Sequence, residues 1–489
     1  MTVRLGCSWA ILAFAALLLA VAPARAQTGG SPPPGASSPG PVPAPMATQG
    51  DYSGSVPSAP VQGVLKLSLQ EAMDRGLQQN LGLLLSGQDV RTARGQRWQQ
   101  LSALLPNLTT SSYVDASQVD LAEFGFSFKF PAASGIVIPP VVGPFAYYDS
   151  RAYVTQTLLD FKAINNTHSA SQSLKSAQYT YKDARDLVIL AVGNTYLQAV
   201  ADQARVETAD AQVKTAEALY DQAADQVKAG TSPSIDALRA NVELKTRQQD
   251  LIQSKNNFAI AKLTVARVIG LAPGQQFELT DDSLYQPFAG LTVDEALQRA
   301  YANRSDFQAA LADVHSAEYA QKAAHDGYLP TLSFSADYGL AGTYDGLNTH
   351  GVMDVRGTLN IPIFQGGRVH GDVLEADARL EQSRERLDNL HAQIDDDVRT
   401  ALFNIESAEE QVAVARSNID LAEQTLAQSR DRFAAGVTDT VEVVQAEEAV
   451  ASAHESYIAS LYADNYAKIS LARALGQGEQ GVKEYLKGK

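Results

Sequence analysis

The 489-residue sequence predicts a mainly α protein that also carries a transmembrane β-barrel of few strands per chain. Three observations carry this expectation. Residues 163–229 contain no proline, and none occurs from Ile363 onward, so very long helices are permitted. Between the helical stretches the apolar pattern changes to a period of two. The whole arrangement is then written a second time.

The N-terminus sets the compartment. Arg4 precedes an apolar stretch from Trp9 to Ala22, and Ala24-Arg25-Ala26 follows before Gln27. This reads as a secretory signal over 1–26. The only cysteine, Cys7, precedes the apolar core, so the processed chain has no thiol for disulfides, thiolate metal sites or cysteine catalysis. Nine of the twenty prolines lie between Gln27 and Gly63, which makes 27–64 a flexible linker and places the start of folded material near Leu65. The chain has 55 acidic against 39 basic side chains, a net charge of −16, and removal of Arg4 and Arg25 makes it more acidic still. Nucleic acid is not a partner, since phosphate binding needs a basic stripe.

The duplication is read from order and offset. Leu67-Ser68-Leu69-Gln70-Glu71-Ala72-Met73 returns as Leu291-Thr292-Val293-Asp294-Glu295-Ala296-Leu297, 224 residues later, and Leu105-Pro106 returns as Leu329-Pro330 at the same offset. Ala229-Gly230-Thr231 and Ala266-Arg267-Val268-Ile269-Gly270 return 206 residues later as Ala435-Gly436-Val437 and Ala472-Arg473-Ala474-Leu475-Gly476. Two large modules follow, 65–282 and 283–476, with a short C-terminal tail at 477–489.

Each module reads in the same order. Helices over 68–105 and 292–327 end at Leu-Pro, where the proline disfavours further helix. A strand pair follows. In the second module Leu332, Phe334, Ala336, Tyr338 and Leu340 alternate with Thr331, Ser333, Ser335 and Asp337, and Met353, Val355, Leu359 and Ile361 alternate with Asp354, Arg356, Thr358 and Asn360. The first module has strands near 107–117 and 147–158. Then comes a long helix, whose second copy carries a coiled-coil-like seam through Leu380, Leu387, Leu390, Ile394, Val398, Leu402, Ile405, Val412, Ile419 and Leu426. About 67 helical residues make a rod of roughly 100 Å. Gly230, with Ser232 as cap and Pro233 in the first turn, ends one rod and starts the next helix; Gly436, Thr438 and Asp439 repeat this. The returning helices, 233–270 and 438–475, are half as long. End-to-end stacking of 233–270 with 292–327, and of 438–475 with 68–105, would complete four columns.

Strands with one apolar and one polar face suit an outer-membrane barrel with a wet interior, and such a barrel has to close. Two chains would give eight strands and a filled interior; three give twelve and leave a conduit. The alternative on periodicity alone is a soluble periplasmic coiled-coil adaptor or scaffold with an ordinary sheet.

The paired Leu-x-Leu-x-Glu-Ala openings, the Leu-Pro strand entries, Ile363-Phe364-Gln365-Gly366-Gly367 and the two Ala-Gly turns together resemble the outer-membrane efflux protein family, the TolC-like exit ducts, over residues 65–476. The resemblance implies a homotrimer with a 12-stranded barrel in outer-membrane lipid and an α-barrel of antiparallel coiled coils crossing the periplasm. It also implies a periplasmic adaptor (membrane fusion) protein and an inner-membrane transporter as partners. Two sites follow from it. Asp236, Glu442 and Gln445 stand where such proteins constrict the periplasmic end, although Gln445 replaces an acid and Thr438 an arginine found in some members. The plain alternative is that Asp236 and Glu442 complement helix N-termini, worth about 0.3–1 kcal/mol each. Ala229, Gly230, Thr231 and Ser232, with Ala435, Gly436, Val437 and Thr438, stand at the adaptor-docking turns; helix termination alone also explains their glycines.

No catalytic, cofactor or metal constellation is recognisable. The seven histidines lack ligand spacing, and no nucleophile elbow, P-loop or dinucleotide fingerprint occurs. Asp395-Asp396-Asp397 reads as a solvated run. Phe124, Phe126, Phe128 and Phe130 extend a barrel strand, form an aromatic girdle or pack within their loop.

Overall fold

The computed structural model describes residues 52–60, 62–126, 138–281, 285–343 and 348–487. The signal, most of the linker, Phe128 and Phe130 lie outside the described residues. The first module comprises β1 (Leu65–Leu67), α1 (Leu69–Gln79), α2 (Leu81–Ser102), β2 (Asn107–Asp120), β3 (Val141–Leu159), α3 (Phe161–Lys228) and α4 (Ser234–Val268). β4 (Phe277–Leu279) closes the first module; the second comprises α5 (Val293–Asn303), α6 (Ser305–His325), β5 (Thr331–Thr343), β6 (His350–Asn360), α7 (Arg368–Ala434) and α8 (Thr440–Ala474), followed by α9 (Gly478–Lys487).

The repeated openings are capping boxes. Ser68 Oγ accepts from Glu71 N at 3.3 Å while Glu71 Oε2 accepts from Ser68 N at 3.1 Å; Thr292 and Glu295 repeat this at 3.4 and 3.3 Å. Each satisfies two backbone donors that a bare helix start leaves open.

The single helices expected over 68–105 and 292–327 are each two. Asn80 breaks the first: its side-chain Oδ1 accepts from Gly82 and Leu83 N at 3.0 and 3.4 Å, so it caps α2 while ending α1. Arg304 breaks the second. The expected column pairing is also reversed. Gly270, past the end of α4, abuts Gln79, and a Cβ there would lie 2.6 Å from that side chain; Gly476, past α8, would meet Arg304 N at 2.6 Å. Hence α4 is spliced to α2 and α8 to α6. Period and length give a half-helix its partner type, but the choice between two partners rests on contacts far apart in sequence. α2 and α4 pack on α3, and α6 and α8 lie between α3 and α7. The column order is α2/α4, α3, α6/α8, α7.

Folded material begins before Leu65. Val56 N donates to Gln79 O at 2.8 Å, Leu81 N to Gly54 O at 2.9 Å and Ser58 N to Gly270 O at 2.8 Å. The end of the expected linker is therefore a strap across the α4–α2 splice, held by backbone groups that its composition does not advertise. At the other end, Val482 and Leu486 of the expected tail are buried in the same core as Val188, Val192 and Tyr196. Tyr196 Oη donates to Leu67 O at 2.9 Å and to Asp281 Oδ2 at 2.8 Å.

The strands form one antiparallel sheet in the order β2-β3-β5-β6, and β1 pairs in parallel with β4. Register confirms the alternation. Leu332 opposes Leu359, Ala336 opposes Val355, and Tyr338 opposes Met353 on one face; Met353 is 75% exposed there. Asp337 opposes Asp354 on the other. Two like charges opposed on a sheet destabilise it, and arginines relieve this: Arg151 lies 3.1 Å from Asp337 and 2.6 Å from Asp149, and Arg356 lies 3.3 Å from Asp354. Gly339 pairs with Arg151 across the seam of the two strand pairs, and a Cβ there would lie 2.1 Å from Ser150 O. Gly339→Val is expected to separate β3 from β5 and lower the thermal unfolding midpoint by several degrees; an unchanged midpoint would refute the close approach.

Candidate functional site at the hairpin ends

Both long helices end in the same device. Gly230 takes φ +75° and Gly436 φ +70°, a region that only glycine adopts readily. Gly230 N donates to Val227 O and Thr231 N to Gln226 O, both at 3.0 Å; Gly436 N donates to Phe433 O at 3.0 Å and Val437 N to Arg432 O at 2.9 Å. These are Schellman closures, which satisfy the last helical carbonyls. They set Ala229–Ser232 and Ala435–Thr438 at the end of the two hairpins.

The expected caps differ. Ser232 does not cap α4; its hydroxyl donates to Gln226 Oε1 at 3.0 Å, and Pro233 occupies the cap position without a side-chain bond. Asp439, not Thr438, caps α8, accepting from Val441 N at 3.1 Å. In each case the cap moves on by one residue because the expected hydroxyl is donated elsewhere, Ser232 to Gln226 and Thr438 to Glu442.

The three residues expected at the constriction are held differently. Asp236 is buried in the first turn of α4, with Arg239 Nη1 3.8 Å away. Glu442 is half-buried: it accepts from Arg432 Nη1 at 2.9 Å, from Ser429 Oγ at 3.4 Å and from Thr438 Oγ1. Gln445 is exposed. Among the described residues no hydrogen bond or ion pair joins Asp236 to Glu442. An apolar cluster of Leu219, Ala223, Ala240, Leu426, Phe433 and Val443 lies beneath and unites the two hairpins.

Charged groups deeper in the hairpins are buried and paired as well. Arg247 Nε lies 2.6 Å from Glu243 Oε1, and Arg430 Nη2 lies 3.1 Å from Glu447 Oε1, with both glutamates only 6% exposed. The Glu243–Arg247 spacing was a visible i,i+4 signal; the Arg430–Glu447 pair, between helices, had none. The acidic run is not merely solvated either. Asp397 accepts from Arg304 Nη1 at 2.8 Å and Asp395 from Arg399 Nε at 2.7 Å.

Among the described residues no helix is long and apolar enough to cross a membrane, which says nothing of strands, and no cluster of three metal-ligating side chains occurs. Comparison with known proteins gives a consistent result. The chain is 22% identical over 345 residues to the outer membrane protein TolC of Salmonella enteritidis, covering 66% of this chain and 68% of that one. It is 22% identical over 430 residues to the toluene efflux pump outer membrane protein TtgC of Pseudomonas putida, covering 84% and 83%. A solved membrane protein from Pseudomonas aeruginosa shares the fold with a TM-score of 0.72 at 17% identity, over 87% of this chain and 96% of that one. Residues 72–271 and 296–477, which take in most of both modules, match the family model described as outer membrane efflux protein, and the chain belongs to that family.

Proposed function

We propose that this chain is the outer-membrane exit duct of a tripartite efflux or secretion system, a homotrimer that passively conducts cargo delivered by an inner-membrane transporter through a periplasmic adaptor. The observation that carries the trimer is the pair of unfinished flanks. β2 and β6 have no strand partner on their outer edges among the described residues, and open edges are not tolerated in lipid. The outermost helices match them. Phe403, Val414 and Leu421 are exposed on α7, and Leu238, Val242, Ile252 and Leu263 on α4, where Leu263 reaches 71%. Placing the α7 flank of one copy against the α2/α4 flank of the next covers both, and three copies close twelve strands and twelve columns. The exposed apolar face of the sheet then meets lipid, which disfavours a soluble scaffold. The two modules, 65–282 and 283–476, supply the repeat that makes each chain two similar sixths of the ring.

The hairpin ends form the periplasmic closure. Asp236 and Glu442 supply carboxylates there, Gln445 contributes amide hydrogen bonding in place of a third acid, and the turns 229–232 and 435–438 present small residues to the adaptor. A ring of carboxylates attracts cations and resists anions. The test begins with fractionation: the protein is expected in outer membranes as a trimer that cross-links in place, and a detergent-independent soluble protein would overturn the duct reading. In planar bilayers, Asp236→Ala with Glu442→Ala is expected to raise the closed-state conductance several-fold and lower cation preference. An unchanged conductance would remove both residues from the closure.

A further inference from the structure

The contact between the two hairpins sets buried polar groups beside the apolar cluster that unites them. Below the helix splices, α3 meets α8 through polar groups: Tyr462 Oη donates to Asn194 Oδ1 at 2.5 Å, and Arg205 bonds both Asp202 and Glu455 at 2.8 Å. Nearer the tip the seam holds the two buried carboxyls, Glu243 on α4 and Glu447 on α8. Glu447 Oε1 has Arg430, whereas its buried Oε2 has no hydrogen-bond partner among the described residues. It borders a cavity of about 420 Å³ lined also by Glu207, Arg247, Glu423 and His454.

The charged and titratable groups around Glu447 and its cavity come from every neighbouring helix. α7 supplies Arg430 and Glu423, α4 supplies Glu243 and Arg247, α3 supplies Glu207, and α8 itself supplies His454. Arg247 is also drawn to Asp250 at 3.4 Å, and His454 Nε2 lies 3.3 Å from Glu423. Burial pushes the Glu447 carboxyl above the usual range; Arg430 pulls it down, the Glu243 charge pushes it up, and Arg247 pulls it down, with a net upward result.

We propose that Glu447 is a proton-operated catch in the hairpin seam: its neutral carboxyl keeps the α3/α4 and α7/α8 hairpins together, and its ionisation loosens them. A second negative charge beside Glu243 in a buried, incompletely bonded position is costly. Separation of the hairpins hydrates both carboxylates and removes the cost. The closed arrangement therefore binds the proton more tightly than the open one. Closure gains as pH falls from the raised value toward that of an ordinary glutamate, and is lost as pH rises through the raised value. Each unit of difference between the two arrangements changes the closed-to-open ratio about tenfold.

The catch rests on the duct reading, and two measurements keep their failures apart. In planar bilayers the intact protein is expected to leak several-fold more at pH 8 than at pH 4, close to the value of an ordinary glutamate. Glu447→Gln is expected to stay at the low level throughout, while His454→Gln keeps the wild-type response. A Glu447→Gln protein with the wild-type response overturns the catch, as does a His454→Gln protein without one. Spin labels at Lys245→Cys and Glu448→Cys, both exposed positions, report the α4–α8 distance without any conductance. The distance is expected to lengthen at pH 8, and not in Glu447→Gln. A pH-independent distance in the wild-type background overturns the catch even in a conducting channel, whereas a silent bilayer with a pH-dependent distance overturns only the duct.

Discussion

Arg304→Ala is expected to destabilise the protein by about 3–5 kcal/mol, the range for removing one partner of a buried ion pair. Arg304 is 3% exposed at the break between α5 and α6. It grips Asp306 with both arms of its fork, Nε to Oδ1 at 3.0 Å and Nη2 to Oδ2 at 2.6 Å, and reaches Asp397 with Nη1. Asp397 is 41% exposed, so that arm contributes little; the Asp306 arm dominates. Burial alone would push the Asp306 carboxyl up, but the bonds and charge of Arg304 hold it below the usual range. A depressed carboxyl stabilises the folded state above its unfolded value, and that contribution is lost as pH falls through the folded one. The alanine variant thus loses both the splice and this acid-sensitive share. Thermal denaturation in detergent, with hydrogen exchange over 293–325 and 468–476, reads the effect. An unchanged midpoint, or exchange that rises elsewhere but not at the splice, would contradict it.

The second large effect comes with a change of sign. Lys468 and Asp464 are fully buried, 2.6 Å apart one helical turn along α8. Lys468 also donates to Gln286 O and lies 5.4 Å from the centre of the Tyr285 ring, pinning the connector between the modules. Burial pushes the Asp464 carboxyl up while Lys468 pulls it down, so Lys468→Ala strands a carboxyl in the interior and is expected to cost about 3–5 kcal/mol. Asp464→Leu with Lys468→Met removes both charges. Since Asp464 Oδ1 already lacks a partner among the described residues, the double variant is expected to recover most of the loss or exceed wild type. A double variant as unstable as the single one would mean that the pair contributes attraction beyond its desolvation.

Much of this architecture was legible because its rules are local. Period-two alternation assigned the faces of β5 and β6, and the proline-free runs gave α3 and α7 to within a few residues. Asn80 and Arg304 carry no signal of a break: a helix interior tolerates either residue, and only the packing of distant ends makes a corner there. The same holds for the splices, since α4 was equally matched in length to α2 and α6. At the hairpin ends the glycines were readable from their place after long helices. The cap shift from Ser232 to Pro233 was not, because it depends on which hydroxyl the closing turn recruits. Glu447 was the least legible, an ordinary helical glutamate whose burial is decided by three other helices.

The lengths of the helices have a consequence for how such a protein changes over generations. α3 and α7 have 68 and 67 residues, and α4 and α8 have 35 each. In the proposed trimer every hairpin end would therefore reach one common level, and an insertion in a single helix would tilt the rim and spoil the ring. One heptad added to all four helices below the splices would lower that level by about 10 Å, leaving the strands and the strap untouched. The distance the proposed tube would reach is a quantity inherited in fourfold steps, so a cell with a wider gap between its membranes would be served by matched insertions in α3, α4, α7 and α8.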